Sequence, residues 1–122
     1  MKIVVTSLGE TLDSPVDQRF GRTRYFILYD TDTEQWSAYN NKQNLNAIQG
    51  AGIQSGQKVG DLGAEIIITG HCGPKAFTTL AAFGLTVYTG ASGTVKEAID
   101  AFLANKLQKV SGADVEDHYG SV

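Results

Sequence analysis

Between residues 64 and 107 the chain runs twice through the same alternation: a short β-branched apolar stretch, a glycine-bearing turn, then a helical pattern. Strands are expected over 64–69 and 85–88 and helices over 74–82 and 94–107, with Gly84 as the stop after the first helix. This run narrows the fold sharply. Short, right-handed connections make the two strands parallel neighbours of one sheet, so the loops that follow them share an edge. Pro74 suits a first helical position. Thr94-Val95-Lys96-Glu97 spells a capping box, and Val95, Ala98, Ile99, Phe102 and Leu103 trace one apolar face.

Upstream, the β-branched stretch Lys2 to Ser7 reads as a buried strand, and Leu8 to Gln18, with Gly9, Asp13, Pro15 and Asp17, as a long loop. Tyr25 to Asp30 and Trp36 to Tyr39, joined by Thr31 to Gln35, read as an antiparallel hairpin. Asn46 to Leu62 is helical in pattern, with Gly52, Gly56 and Gly60 on one face. Each glycine costs a helix about 1 kcal/mol against alanine, and close approach of this helix to the sheet is the expected compensation, with a flexible region that orders on binding as the rival. The sum is an α/β fold with a central mixed five-stranded sheet and helices on both faces. It occupies one domain over 1–108, followed by a polar, acidic tail over 109–122.

Composition removes several function classes. A net charge of -3 gives no general attraction to nucleic acid or an anionic membrane, and no apolar run nears the roughly 20 residues that span a bilayer. Met1-Lys2 leads straight into a strand pattern rather than a signal peptide. The single cysteine makes neither an internal disulfide nor a closed zinc site, so a reducing, cytoplasmic setting is expected. Neither Ile3 to Ser7 nor 66–69 carries the carboxylates of a two-metal nuclease. The glycine loops match neither the phosphate-loop nor the dinucleotide fingerprint.

The residues that carry chemistry gather at three places. Gly70-His71-Cys72-Gly73-Pro74-Lys75 and Gly90-Ala91-Ser92-Gly93-Thr94 each join a strand to a helix, where backbone N–H groups and the helix dipole favour an anion. All three arginines fall within Arg19–Arg24, and guanidinium forks suit phosphate, carboxylate or sulfide-rich anions; a solvated basic turn is the plainer alternative. Asp13 and Asp17 have no role beyond orienting these arginines. The Cys72 thiol stands where a helix N-terminus, His71 and Lys75 lower a pKa, or else it is a small residue in a tight turn. One thiolate does not hold a metal ion, so a metal contact at Cys72 implies a preformed cluster. Asp114, Glu116, Asp117 and His118 make only a nonspecific cation motif in a solvated tail.

Three stretches carry a resemblance: Arg19-Phe20-Gly21-Arg22 before a Tyr-Phe strand, Gly-x-x-Gly-Pro-Lys-Ala at 70–76, and Gly-Ala-Ser-Gly-Thr-Val at 90–95. In this order and spacing they resemble the dinitrogenase iron–molybdenum cofactor biosynthesis family over residues 1–108. The resemblance implies a three-layer ribonuclease H-like fold without nuclease activity. It also implies a non-enzymatic carrier that holds an anionic metal–sulfur cluster non-covalently. That cargo is a molybdenum–copper–sulfide cluster, as in stand-alone members, or an iron–molybdenum cofactor precursor. The motifs assign Phe20, Gly21, Arg22, Gly73, Pro74, Lys75, Gly90, Ala91, Ser92, Gly93 and Thr94 to the cluster. Beside them, Arg24 adds charge, His71 and Cys72 flank the middle motif, Phe20 offers apolar cover, and Asn40, Asn41 and Asn44 line the rim. The rival readings are a thiol-dependent enzyme using Cys72 and an adaptor for a P-loop ATPase, a partner implied by the family alone. A monomer or weak oligomer is expected.

Overall fold

The computed structural model describes residues 1–41 and 51–110. Asn44, the helical pattern before Ala51, and the acidic tail with Asp114, Glu116, Asp117 and His118 lie outside the described residues. Among the described residues, six strands and three helices follow in the order β1 (Lys2–Ser7), β2 (Tyr25–Asp30), β3 (Trp36–Asn40), α1 (Ala51–Asp61), β4 (Ile66–Ile68), α2 (Pro74–Ala82), β5 (Thr86–Thr89), α3 (Val95–Leu103) and β6 (Gln108–Val110).

The strands form one mixed sheet in the order β3-β2-β1-β4-β5-β6. The β-α-β-α run delivers its parallel pairs: β1 lies parallel to β4, and β4 to β5. The hairpin is antiparallel, with Ile27 opposite Ala38, and β2 runs antiparallel to β1. The expected count of five strands is corrected to six. The helix expected to reach residue 107 ends at Leu103 because Asn105 adopts a left-handed φ of 61°, which asparagine tolerates better than most residues. The chain then reverses, and Gln108–Val110 pairs with Thr89–Val87. Three residues reading Gln-Lys-Val hold no alternation from which a strand can be read.

Alternate residues of the sheet feed two cores. On one face Ile3, Val5, Ile27, Tyr29, Ile66 and Ile68 pack with Val95, Ala98 and Ile99 of α3. On the other, Val4, Phe26, Ile67 and Val87 pack with Val59 of α1 and with Ala76 and Leu80 of α2. Each fully buried Val, Leu, Ile or Phe among them contributes about 1.5–3 kcal/mol. Helices therefore cover both faces, one against two.

The glycine face of α1 meets α2 rather than the sheet, which corrects the expected partner. A Cβ built at Gly52 would sit 3.1 Å from the Ala76 Cβ, and one at Gly56 only 2.8 Å from Thr79 Cγ2. One at Gly60 would overlap the Phe83 ring. The absent side chains bring the two helices together, and α1 in turn reaches the loop before β2.

Candidate functional site

Parallel pairing puts the C-terminal ends of β1, β4 and β5 on one sheet edge, and the antiparallel hairpin adds two more segments. Tyr25, which opens β2, lies opposite both Ser7 and Asn40. The three motifs are hydrogen-bonded to one another there. The Phe20 N–H donates to the His71 carbonyl at 3.2 Å, which joins the arginine loop to the turn after β4. Gly90 N–H donates to Gly70 O at 3.2 Å and Ala91 N–H to Thr69 O at 3.3 Å, which joins the turns after β4 and β5. Gln18 closes the triangle by donating its Nε2–H to Ala91 O at 3.0 Å.

The arginine loop is fixed from beneath. Asp17 is buried, and its Oδ1 accepts the Arg19 N–H at 3.1 Å and the Arg19 Nε–H at 3.5 Å. Its Oδ2 accepts the Arg24 N–H at 3.3 Å. The Thr6 hydroxyl donates to the Asp17 carbonyl at 2.7 Å and lies 2.9 Å from the Thr69 hydroxyl. The Thr23 hydroxyl accepts the Ser7 N–H at 3.2 Å and donates to Tyr25 O at 3.1 Å. Arg24 is exposed and Arg22 half-buried. Asp17 thus orients the arginines as expected, by holding backbone rather than by pairing with each guanidinium. Ser55, which also touches this loop, carried no signal in the sequence.

The two helix N-termini, alike in sequence, differ in state. Thr94 accepts the Glu97 N–H at 3.1 Å, and Glu97 Oε1 accepts the Thr94 N–H at 2.8 Å. The next two N–H groups of α3 are also taken: Val95 donates to Ser14 O and Lys96 to Leu12 O, both at 2.9 Å. A carboxylate of the chain itself occupies this dipole, so the expected anion site at Thr94 is corrected to a closed cap. At α2 the N-cap is Gly73, which has no side chain to close the turn, and Pro74 has no N–H to satisfy. The Phe77 N–H donates to Gly73 O at 2.9 Å, which leaves the Lys75 and Ala76 N–H groups at the start of α2, with the Lys75 side chain exposed.

The remaining candidates divide between surface and core. Phe20 is 2 % exposed and packs on Phe26 with ring centroids 5.8 Å apart, so it anchors the loop and gives no surface cover. Ala91 is buried, whereas Gly90, Ser92 and Gly93 are exposed, with left-handed φ values of 85° at Gly90 and 77° at Gly93 that favour glycine. His71 is exposed; Asn40 is exposed too and receives Lys58 Nζ on its carbonyl. Cys72 is 3 % exposed inside the core under α2, and burial pushes its thiol up to about 12. That is opposite to the lowering expected of a helix N-terminus, since desolvation of the thiolate dominates. Among the described residues no three His, Cys, Asp or Glu side chains gather to hold a metal ion. Beside Lys75 opens a groove of about 410 Å³ lined by Ile53, Pro74, Lys75, Thr78 and Thr79. Both threonine hydroxyls turn away to helix carbonyls, Pro74 O at 3.0 Å and Lys75 O at 3.1 Å.

This edge can bind an anion by N–H donors and cations, without a ligating side chain. Comparisons with known proteins agree with the three-motif resemblance. A model of the dinitrogenase iron-molybdenum cofactor family matches residues 1–105. The apo form of the orange protein from Desulfovibrio gigas superposes with a TM-score of 0.88 at 36% identity, over 91% of this chain and 93% of that one. A Thermotoga protein provisionally assigned as a NifB protein superposes with a TM-score of 0.78 at 37% identity, over 88% and 91% of the two chains. An uncharacterised protein of Methanocaldococcus jannaschii is 25% identical over 112 residues, 89% of this chain and 95% of its own.

Proposed function

The chain belongs to the dinitrogenase iron-molybdenum cofactor family, and from that premise we propose that it is a non-enzymatic carrier of an anionic metal–sulfur cluster. The cargo is a molybdenum–copper–sulfide cluster or an iron–molybdenum cofactor precursor, held non-covalently. The observation that carries this reading is the start of α2, whose N-cap is a glycine, with Lys75 in its first turn and the arginine loop hydrogen-bonded to the turn before it. A sulfide-bridged cluster brings its own metal–sulfur bonds, so it asks a protein for donors and positive charge rather than for ligands. Hydrogen bonds to a charged partner contribute about 1.5–3 kcal/mol each. Arg22, Arg24, Lys75 and the α2 N–H groups supply them, and Ile53 with Pro74 gives soft sulfide an apolar wall. The likeness to the orange protein supports the same class of cargo. A ribonuclease H-like classification of the three layers and a reducing cytoplasmic setting, in which the free Cys72 stays reduced, belong to this proposal.

The thiol-enzyme reading loses its support, because a buried thiol with a raised pKa supplies little thiolate at neutral pH. The test is to incubate apo-protein with tetrathiomolybdate and copper, desalt it, and record an absorption spectrum with elemental analysis. Stoichiometric charge-transfer bands that survive desalting are expected. Loss of all colour and metal overturns the molybdenum–copper assignment, and the same loss with an iron–molybdenum precursor overturns the carrier reading.

A further inference from the structure

We propose that Asn41 and Ser55 form a buried clamp that positions Arg22 by pinning the peptide groups on either side of it to helix α1. Both side chains are 0 % exposed, although Asn41 lies just beyond an edge strand and Ser55 on a surface helix. The Asn41 Nδ2 donates to the Thr23 carbonyl at 3.0 Å and lies 3.3 Å from the Gly21 carbonyl. The Ser55 hydroxyl donates to the same Gly21 carbonyl at 2.9 Å and accepts from Asn41 Nδ2 at 3.1 Å. The Asn41 backbone completes the hold by donating its N–H to Arg24 O at 2.8 Å. Gly21 and Thr23 flank Arg22, so two side chains fix the backbone before and after the one guanidinium between them.

The geometry has a second consequence. Gly56, the residue after Ser55, lies against Thr79 of α2. The same turn of α1 therefore touches the arginine loop and α2, the helix whose N-terminus forms part of the proposed site. A buried amide and hydroxyl are costly to leave unpaired, so this contact has one preferred arrangement. The clamp holds Arg22 at a set distance from the start of α2, and it does so before any ligand arrives. Its role in ligand binding rests on the proposed carrier function; its role in holding the loop does not.

All three arginines of the chain lie in this loop, so an arginine-specific endopeptidase reports on it alone. In ligand-free protein, Ser55→Ala and Asn41→Asp are expected to raise the cleavage rate after Arg22 about three- to tenfold, the factor that one lost buried hydrogen bond gives a local opening. Ile99→Val, which loosens the opposite core, serves as the control and is expected to leave that rate unchanged. The same variants are then titrated with tetrathiomolybdate, with an expected loss of affinity of similar size and an altered charge-transfer band. Cleavage of Ser55→Ala at the wild-type rate overturns the clamp, and Ser55→Ala alone decides if Asn41→Asp does not fold. Faster cleavage with unchanged affinity overturns its positioning of Arg22 for ligand. If wild type binds no thiometallate while cleavage still rises, the loop clamp stands, and its ligand role falls with the carrier reading.

Discussion

Cys72 shows how a side chain's environment overrides its position in the sequence. At the start of a helix, next to a histidine and three residues before a lysine, it reads as an activated thiol; the structure buries it in the core cluster that also holds Leu80 and Val87. The thiol is pushed up to about 12 from an ordinary 9.0. In the unfolded chain it ionises near the ordinary value, so the stability tied to its neutral form is intact below about pH 9 and is lost as pH rises towards 12. Unfolding free energy of wild type relative to Cys72→Ala is expected to fall by about 1.4 kcal/mol per pH unit across that window. Parallel urea titrations of the two proteins check it, and a flat difference between pH 9 and 12 would refute the burial argument. Asp17 is the opposite case. Its link to the arginines was legible because they share one short loop, whereas its bonds to backbone N–H groups depend on burial that no local pattern encodes.

Among the elements, α2 was readable to the residue because Pro74 and Gly84 bracket it, and the capping box marked the start of α3. Missed features have local causes: β6 is three residues long, and the end of α3 hangs on the left-handed Asn105. The glycine face of α1 announced close packing but not its partner, since a stripe of small residues fits a sheet or a helix equally well. The contact it makes is specific enough to predict two different outcomes. Gly56→Ala drives a Cβ against Thr79, whose hydroxyl is tied to Lys75 O, so strain of about 1–3 kcal/mol outweighs the gain in helix propensity of about 1 kcal/mol. At Gly60 the obstacle is the Phe83 ring, which at 46 % exposed has solvent on one side to move into, so Gly60→Ala is expected to cost less than Gly56→Ala. Urea unfolding of both variants checks the pair, and equal effects would place the helix contact elsewhere.

For the molecule as a whole, the site belongs to no single segment: the arginine loop, the turn after β4 and the turn after β5 meet only because the sheet order brings them together. A ligand seated there binds the folded state alone and stabilises it by about 2.7 kcal/mol at one hundred times its dissociation constant. For a chain of this size that corresponds to a rise in melting temperature of about 10 °C. Tetrathiomolybdate with copper is expected to produce such a shift in wild type, a smaller one in Arg22→Ala with Lys75→Ala, and less in high salt, which screens exposed cations. An undiminished shift in the double variant would move the site away from these two residues.

The position of β1 also sets an order in time. It precedes the other described strands in sequence, yet it lies inside the sheet, with β2 on one side and β4 on the other. The hairpin can dock on it early, but its parallel edge stays bare until residues 66–68 have been synthesised, and β5 and α3 follow later still. The edge where the three loops meet is consequently incomplete until the turn after β5 has been made. A chain cut before that turn has the arginines and Lys75 but no place for them to converge, so the proposed cargo site depends on the assembled sheet.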